Sequence, residues 1–128
     1  MTENELATSV VDVAFHIHSK LGPGLLESVY QKVMAYELRK RGLHVEEEVP
    51  VPVIWDEESM EVGFRVDLFV NRKLIVELKS IEHVAPVHKK IVLTYLRLTE
   101  CRLGLLLNFG EELMKSGISR IVNGLRDS

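Results

Sequence analysis

The sequence predicts an α/β protein in which a mixed β-sheet is flanked by helices. Two amphipathic helical segments lead the chain, three segments with strand-like alternation follow, and another helical segment precedes a last apolar strand. The order is therefore one extra leading helix, then helix, three strands, helix and strand. A helical crossover between strands is typical of α/β sheets.

Composition and length agree with this fold class. The 128 residues are 46% hydrophobic and 27% charged, which predicts a single globular domain over residues 1–128. Cys101 is the single cysteine, so an intramolecular disulfide is excluded and we expect a reducing, cytoplasmic location. The polar, acidic start and the short apolar runs predict neither a signal peptide nor a membrane-spanning helix.

The net charge of -3 disfavours nucleic-acid binding, but the charge is unevenly distributed. Residues 61–110 carry 5 acidic and 8 basic side chains. Much of the acidity lies in the runs 46–48 and 56–58, for which we expect a solvated edge. A positive face can therefore coexist with an acidic total.

The first helix is predicted from its cap and its period. Thr2 and Glu5 form the T-x-x-E pattern of a capping box. Apolar residues then recur at helical spacing up to Leu21. The sequence Gly22-Pro23-Gly24 ends this helix, as a turn or as a cradle for a phosphate.

The second helix is predicted to begin near Leu25. Three cations and a glycine at 39–42 end it, because cations suit the negative end of the helix dipole and glycine suits the residue that follows. The apolar positions predicted for this helix are Leu26, Val29, Val33 and Met34.

The period changes towards two at Leu43, and Pro50 and Pro52 favour an edge strand over a central one. A turn at 56–59 and the turn Asn71-Arg72 divide this region into three strands. The prediction is a three-stranded meander with strands at about 43–55, 61–70 and 73–80.

Pro86 is predicted to open the next helix. Residues 103–109 then form a buried strand that the chain reaches by a crossover. The pattern after residue 109 predicts no particular element. The apolar positions predicted for the helix are Ile91, Val92, Tyr95, Leu96 and Leu98.

The residues that can carry chemistry lie on the second hairpin of the meander. The apolar side chains of its last strand share one face, which places Glu77 and Lys79 together on the other, about 7 Å apart. Because the turn is short, Asp67 lies across the hairpin and can approach Glu77 on the same face.

Such a pair of acids needs compensation. Two carboxylates about 5 Å apart at an effective dielectric of about 20 repel each other by roughly 3 kcal/mol. Lys79 offsets part of this repulsion, and a divalent cation would offset more. For an isolated E-x-K triplet the alternative is an ordinary surface charge pair. Glu77 lies inside an apolar strand, where an unpaired acid is costly, and this favours a site.

An aspartate, a nine-residue gap and E-x-K, at Asp67, Glu77 and Lys79, resemble the PD-(D/E)XK nuclease superfamily in this order of elements. The residues from Gly24 to Tyr30 match G-x-x-E-x-x-Y, the signature of a family of small prokaryotic proteins within it. The resemblance covers about residues 15–122, including the stretches 21–24, 35–38, 86–88 and 105–109.

The resemblance implies a fold and a metal site. It implies an αβββαβ nuclease core in which Asp67 and Glu77 bind Mg²⁺, or Mn²⁺ in its place, with the carbonyl of Leu78 as a further ligand. Lys79 would orient or activate the attacking water. Glu27 would be an extra carboxylate that reaches the metal directly or through water, and its alternative is a glutamate stabilised by the helix dipole.

The resemblance also implies substrate contacts for Tyr30, Tyr95, His88 and Lys89. On pattern alone, both tyrosines are better explained as core residues, and His83 and His88 as solvated side chains. Cys101 is expected to be a small buried side chain.

Two features depart from what a strong nuclease would show. Ile91 stands where the family pattern commonly carries a glutamine. The basic set is modest, so we expect weak DNA binding by one chain alone, or binding by a dimer that doubles the set. It consists of Lys89, Lys90, Arg97 and Arg102.

The function expected is Mg²⁺-dependent hydrolysis of phosphodiester bonds in DNA. A rival is a non-catalytic nucleic-acid or protein-binding module on the same fold, which the acidic total and Ile91 favour. A third alternative is a metal-dependent hydrolase of nucleotides or other small phosphates. DNA is the expected partner, a homodimer or a protein partner stays open, and no membrane is expected. Glu27 is expected to face Asp67, Glu77 and Lys79.

Overall fold

The structure is a computed structural model that describes residues 1–125. Its helices are α1 (Glu3–Leu21), α2 (Glu27–Lys40), α3 (Pro86–Thr99) and a short 3₁₀ helix at Met114–Gly117. Its strands are β1 (Val45–Pro50), β2 (Val53–Trp55), β3 (Glu58–Met60), β4 (Arg65–Val70), β5 (Leu74–Lys79), β6 (Leu103–Asn108) and β7 (Ile118–Val122).

Five of the strands form one mixed sheet in the order β1-β4-β5-β6-β7. The strands β1, β4 and β5 are antiparallel neighbours and make the predicted meander. Helix α3 carries the chain across the sheet, so that β6 runs parallel to β5. Strand β7 lies antiparallel on the far side of β6, in the part of the chain for which the sequence predicted no element. The predicted α/β fold with an extra N-terminal helix is confirmed.

The two faces of the sheet carry different cores. Helices α1 and α2 pack on one face, against alternate residues of β5, which are Leu74, Val76 and Leu78. Helix α3 packs on the other face, where Ile75 lies in one cluster with Tyr95 and Leu96. Because side chains alternate along a strand, Glu77 belongs to the face of α3.

The first helix begins as its cap predicts. Glu5 donates its backbone N–H to Thr2 Oγ1 (3.2 Å), and Thr2 donates its own to Glu5 Oε1 (2.9 Å). The apolar positions predicted for α2 are partly wrong, since Leu26 and Val29 are exposed. Leu26 is the N-cap residue and precedes the first residue of α2. The side chains that α2 buries are Tyr30, Gln31, Met34, Ala35 and Leu38.

The predicted strands at 43–55 and 61–70 are also corrected. Strand β1 ends at Pro50, and β2 pairs only with β3, as a separate hairpin that turns at Asp56 and Glu57. Pro50 and Pro52 lack the N–H groups that would extend the ladder of β1, and β4 begins only at Arg65. We call residues 52–64 the arm. Over residues 1–125 no helix has both the length and the apolar character needed to cross a membrane.

Candidate active site

Asp67 and Glu77 face each other across β4 and β5. Their strands are paired from Val70 with Leu74 to Leu68 with Val76, and the next position along each strand is Asp67 and Glu77. There the carboxylates act as acceptors for backbone groups. The N–H of Asp67 donates to Glu77 Oε1 (2.8 Å), and the N–H of Leu78 donates to Asp67 Oδ2 (2.8 Å). These reciprocal bonds hold both carboxylates in place.

The turn between the two strands sets this register. Asn71 and Arg72 have φ values of 51° and 53°, the left-handed conformation that a tight hairpin turn requires. The N–H of Lys73 donates to the carbonyl of Val70 (3.0 Å) and closes the turn. The Asn71 side chain accepts a hydrogen bond from the N–H of His44 (2.8 Å), which ties the turn to the start of β1. The turn that the sequence predicts is thus what brings Asp67 opposite Glu77.

Burial makes this pair electrostatically unusual. Glu77 is only 7% exposed, and burial raises its pKa to about 8, with the negative charge of Asp67 adding to the shift. Burial raises the pKa of Asp67 to about 6, and the charges of Glu48 and Glu27 add to that shift. A buried acid beside a half-buried one, both with raised pKa values, is an arrangement that a cation would stabilise.

Lys79 lies two residues after Glu77 on the same side of β5 and is half-buried. Its positive charge lowers the pKa of both Asp67 and Glu77, but the effects that raise the two pKa values are larger. The structure thus brings together the three residues of the predicted site and leaves the two acids only partly compensated.

Glu27 is brought to this site by the loop between α1 and α2. The loop is fastened twice, because the Tyr30 hydroxyl donates to the carbonyl of Gly22 (2.6 Å) and the Ser80 hydroxyl donates to the carbonyl of Leu25. Ser80 directly follows β5, so the first turn of α2 is held near the end of that strand. Glu27 is exposed there, and its charge raises the pKa of both Asp67 and Glu77.

The surroundings of Tyr30 do not support the substrate contact that the resemblance implies for it. Its side chain is fully buried, and its ring stacks on Phe109 with centroids 4.3 Å apart. Its hydroxyl also accepts a hydrogen bond from the N–H of Leu25 (3.2 Å). Tyr30 is therefore a core residue, as its pattern alone predicted, and it positions the loop before Glu27.

Tyr95 lies on the buried side of α3, with 7% of its surface exposed. Burial raises the pKa of its hydroxyl, and the negative charges of Glu77 and Asp67 add to the effect. The Tyr95 hydroxyl thus lies within the electric field of the carboxylate pair. Ile91, one helical turn earlier, is 39% exposed.

The other predicted substrate residues lie around the start of α3. His88 accepts a hydrogen bond from the N–H of Ala85 at Nδ1 (2.9 Å) and so caps the helix. Lys89 is exposed on the first turn. His83 lies with Nδ1 3.8 Å from a carboxylate oxygen of Glu111, and Cys101 is a small buried side chain.

Glu48 is a neighbour of the site that the sequence did not single out. It lies on β1 between the pairs Glu47 with Leu68 and Val49 with Val66, which puts it level with Asp67. Its backbone has a φ of 53°, a conformation uncommon inside a strand. The sequence suggested only a solvated acidic edge at Glu48. The position of Glu48 opposite Asp67, 19 residues later, depends on how β1 pairs with β4.

The donors at this site fit Mg²⁺ or a similar hard cation. Among residues 1–125, no group of three or more His, Cys, Asp or Glu side chains is close enough to hold an ion by itself. Mg²⁺ keeps several of its waters and is commonly held by one or two carboxylates. Asp67 and Glu77 supply two, and a cation would stabilise their charged forms, which burial and the neighbouring acids disfavour.

Comparisons with known proteins place the chain in a family. No curated protein and no solved structure matches it. The family model described as PD-(D/E)XK nuclease superfamily matches residues 4–121. This match spans nearly the whole chain, including both helices before the sheet and the hairpin of Asp67 and Glu77. The chain therefore belongs to the PD-(D/E)XK nuclease superfamily.

Proposed function

We propose that this protein is a metal-dependent phosphodiesterase that cleaves DNA. The observation that carries the proposal is the carboxylate pair of half-buried Asp67 and buried Glu77, which reciprocal hydrogen bonds hold in place and whose charge Lys79 offsets only in part. Membership of a nuclease superfamily supports nuclease activity, and the acids lie beside a lysine that can act on water.

The roles proposed for the individual residues are those that the resemblance to the superfamily implies. Asp67, Glu77 and the carbonyl of Leu78 would hold Mg²⁺, or Mn²⁺ in its place, and Glu27 would reach it through water. When bound, the ion supplies a Lewis acid that polarises the phosphodiester and lowers the pKa of a bound water. Lys79 orients the attacking water from the same face of β5 and assists its deprotonation.

The contacts proposed for DNA come from α3. At its start, Lys89 would attract the backbone phosphates, and His88 would offer Nε2 because its Nδ1 is used in the helix cap. Further along the helix, the hydroxyl of Tyr95 would face the scissile phosphate. The basic set is small, so each chain binds DNA weakly and with strong salt dependence.

A second candidate function is a non-catalytic binding module on this fold. Ile91 favours it, because an exposed isoleucine stands where the family pattern commonly has an amide that can bind phosphate or water. The two functions differ in their need for a metal, since a module that only binds has no use for the charge balance at Asp67 and Glu77.

Cleavage of single-stranded, duplex and flapped DNA with and without Mg²⁺ tests the proposal. Glu77→Gln keeps the acceptor for the N–H of Asp67 but removes the charge, so metal binding and cleavage fall together. Lys79→Met keeps both carboxylates, so the ion still binds while cleavage falls by about 10²-fold or more. Glu47→Gln, on the edge of the same sheet, is the matched control and cleaves like the wild type.

Two results would overturn the nuclease proposal. One is cleavage by Lys79→Met at the wild-type rate. The other is a wild type that binds neither Mg²⁺ nor Mn²⁺ and cleaves none of the three DNAs, in which case the binding module replaces the enzyme. Ile91→Gln supplies the amide one helical turn before Tyr95, and the cleavage rate stays unchanged or rises.

We also propose that the chain is a member of the G-x-x-E-x-x-Y family and that it is cytoplasmic. The three signature residues have separate tasks in the structure: Gly24 has a φ of 100°, Glu27 presents a carboxylate, and Tyr30 fastens the loop. The single buried cysteine, Cys101, supports a reducing compartment.

A further inference from the structure

The arm at residues 52–64 exposes an unusual amount of apolar surface. Its large apolar side chains are exposed by between 43% and 67% at four positions, which are Ile54, Trp55, Met60 and Val62. Several large apolar side chains exposed on one short segment are typical of a site of association.

The arm is a fixed projection with two distinct faces. The pairing of Val53 with Met60 and of Trp55 with Glu58 puts Trp55 and Met60 on one face, and Ile54 on the other. At the base, the N–H of Val51 donates to the carbonyl of Phe64 (2.8 Å), and the ring of Phe64 meets Tyr95 edge-on at 5.9 Å. The arm is thus anchored to the folded chain and presents Trp55 outwards.

An apolar groove of about 350 Å³ lies directly beside the arm. It runs between the sheet edge and the end of α3, and Ile54 forms part of its wall. Its other apolar walls include Val49, Val66, Phe69, Leu98 and Cys101. A protruding apolar hairpin and an apolar hollow therefore adjoin on one surface of the same chain.

The charges of the two features are complementary. The arm carries Asp56, Glu57, Glu58 and Glu61, and no lysine, arginine or histidine. This charge disfavours both DNA and an anionic membrane as its occupant. Arg72 lines the groove and is paired with Glu46. Two exposed arginines adjoin lining residues in the sequence, since Arg97 precedes Leu98 and Arg102 follows Cys101, and Glu100 is the acid between them.

We propose that the arm of one chain docks into the groove of a second copy. Because the arm and the groove adjoin, one two-fold axis places each arm in the other groove, which gives a self-complementary interface. Trp55 is the anchor, since a tryptophan that becomes buried at an interface is the residue type that most often dominates binding. This dimer forms whether or not the protein cleaves DNA.

Trp55 is the only tryptophan of the chain, so its fluorescence reports the state of the arm directly. On dilution of the purified full chain, its emission shifts to longer wavelength as the arm becomes exposed. Sedimentation measures the fall from the mass of two chains to that of one over the same range of concentration. The two transitions coincide if Trp55 lies in the interface.

Variants of the arm separate this interface from any other. Trp55→Ser weakens dimerisation by at least about thirtyfold, the loss expected from truncating an anchor residue. Tyr36→Ser is the matched control, because Tyr36 is 62% exposed but lies on α2, outside the arm. It changes the dimerisation constant by less than about twofold, in line with a side chain outside the interface. Circular dichroism checks that each variant is folded.

A charge exchange tests the assignment of arm to groove. Glu58→Lys with Glu61→Lys makes the arm basic, and Arg97→Glu with Arg102→Glu makes the groove acidic, so each double variant is monomeric alone. When the two are mixed, both contacts of the two-fold pair become attractive and the dimer returns.

Four results overturn the proposal. The wild type stays monomeric at the highest concentration at which it remains in solution, or it dimerises equally well with Trp55→Ser, or the two charge variants fail to associate when mixed. A shift of Trp55 emission only on addition of DNA or of another protein also overturns it, and gives the arm a different occupant.

Discussion

Two pairs of acidic residues on the same sheet differ in their burial and in the positive charge that surrounds them. On the edge strand β1, Glu47 lies 3.0 Å from Lys32 and 3.2 Å from Arg39. Glu46 is similarly bound by Arg72 at 2.7 Å. In the middle of the sheet, Asp67 and Glu77 are more deeply buried and share mainly the charge of Lys79.

The pKa values record this difference. The hydrogen bond from Arg72 holds the pKa of Glu46 below its usual value. Burial acts to raise the pKa of Glu47, but the hydrogen bonds from Lys32 and Arg39 outweigh it and the pKa is lowered. Burial raises the pKa values of Asp67 and Glu77, and nothing outweighs it. The acids on the edge strand are paired with cationic side chains that lower their pKa values. The central pair has too little positive charge nearby to offset its burial.

Metal binding is the largest expected difference between the two pairs. Added Mg²⁺ raises the free energy of unfolding of the wild type by about 2.7 kcal/mol at a hundredfold excess over Kd. Asp67→Asn removes one ligand charge, so the apoprotein becomes more stable and the gain from Mg²⁺ becomes smaller. Thermal unfolding with a Mg²⁺ titration measures both effects. Glu46→Gln is the control and keeps the full gain, and an unchanged gain in Asp67→Asn would place the metal elsewhere.

The two pairs are expected to make the stability of the protein depend on pH with opposite signs. Because the pKa values of Asp67 and Glu77 are raised on folding, the folded chain holds more protons than the unfolded chain between about pH 4 and pH 8. The contribution of this pair is therefore present at low pH and is lost as the pH rises to about 8.

Removing one charge of the pair sharpens this test. Without metal, Glu77→Gln raises the free energy of unfolding by about 2 kcal/mol at pH 8 and changes it little near pH 4. Urea unfolding at the two pH values measures the difference. Glu112→Gln, at an exposed position after β6, serves as the matched control. Equal stability of Glu77→Gln and the wild type at pH 8 contradicts the raised pKa.

The edge pair gives the smallest effect. Glu47→Gln removes the ion pairs with Lys32 and Arg39, and lowers the free energy of unfolding by about 0.5 to 1 kcal/mol at pH 7. Since the pKa of Glu47 is lowered on folding, this loss is full above the pKa of the unfolded glutamate and disappears as the pH falls through the lower pKa of the folded one. High salt also reduces it. Urea unfolding in low and high salt measures this loss of free energy of unfolding. A loss as large as the effect of Glu77→Gln would contradict the difference between the two pairs.

Local features of the sequence were enough for most of the fold and the centre of the site. The capping box of Thr2 and Glu5 and the alternation of β5 depend on residues a few positions apart. The opposition of Asp67 and Glu77 follows from one short turn, which fixes the pairing of two adjacent strands. Interactions of this range can be deduced without knowing how distant segments pack.

Features that depend on distant segments were predicted less well. The pattern alone favoured a buried Tyr30, but the ring on which it stacks, Phe109, lies 79 positions away and was not foreseen. The pattern of α2 also put Leu26 and Val29 inside, and both are exposed. The separate hairpin of the arm follows from two prolines that stop β1. Their presence was clear in the sequence, but they were expected only to make that strand an edge.

The sequence by itself determined which acids meet, because the turn at Asn71 and Arg72 aligns Asp67 with Glu77 through local backbone geometry. Only the tertiary structure decided how those acids behave. The raised pKa values come from burial beneath α3 and from the charges of Glu48 and Glu27, which β1 and the loop before α2 bring close. Burial and long-range charge depend on the packing of whole elements, and no local pattern encodes them.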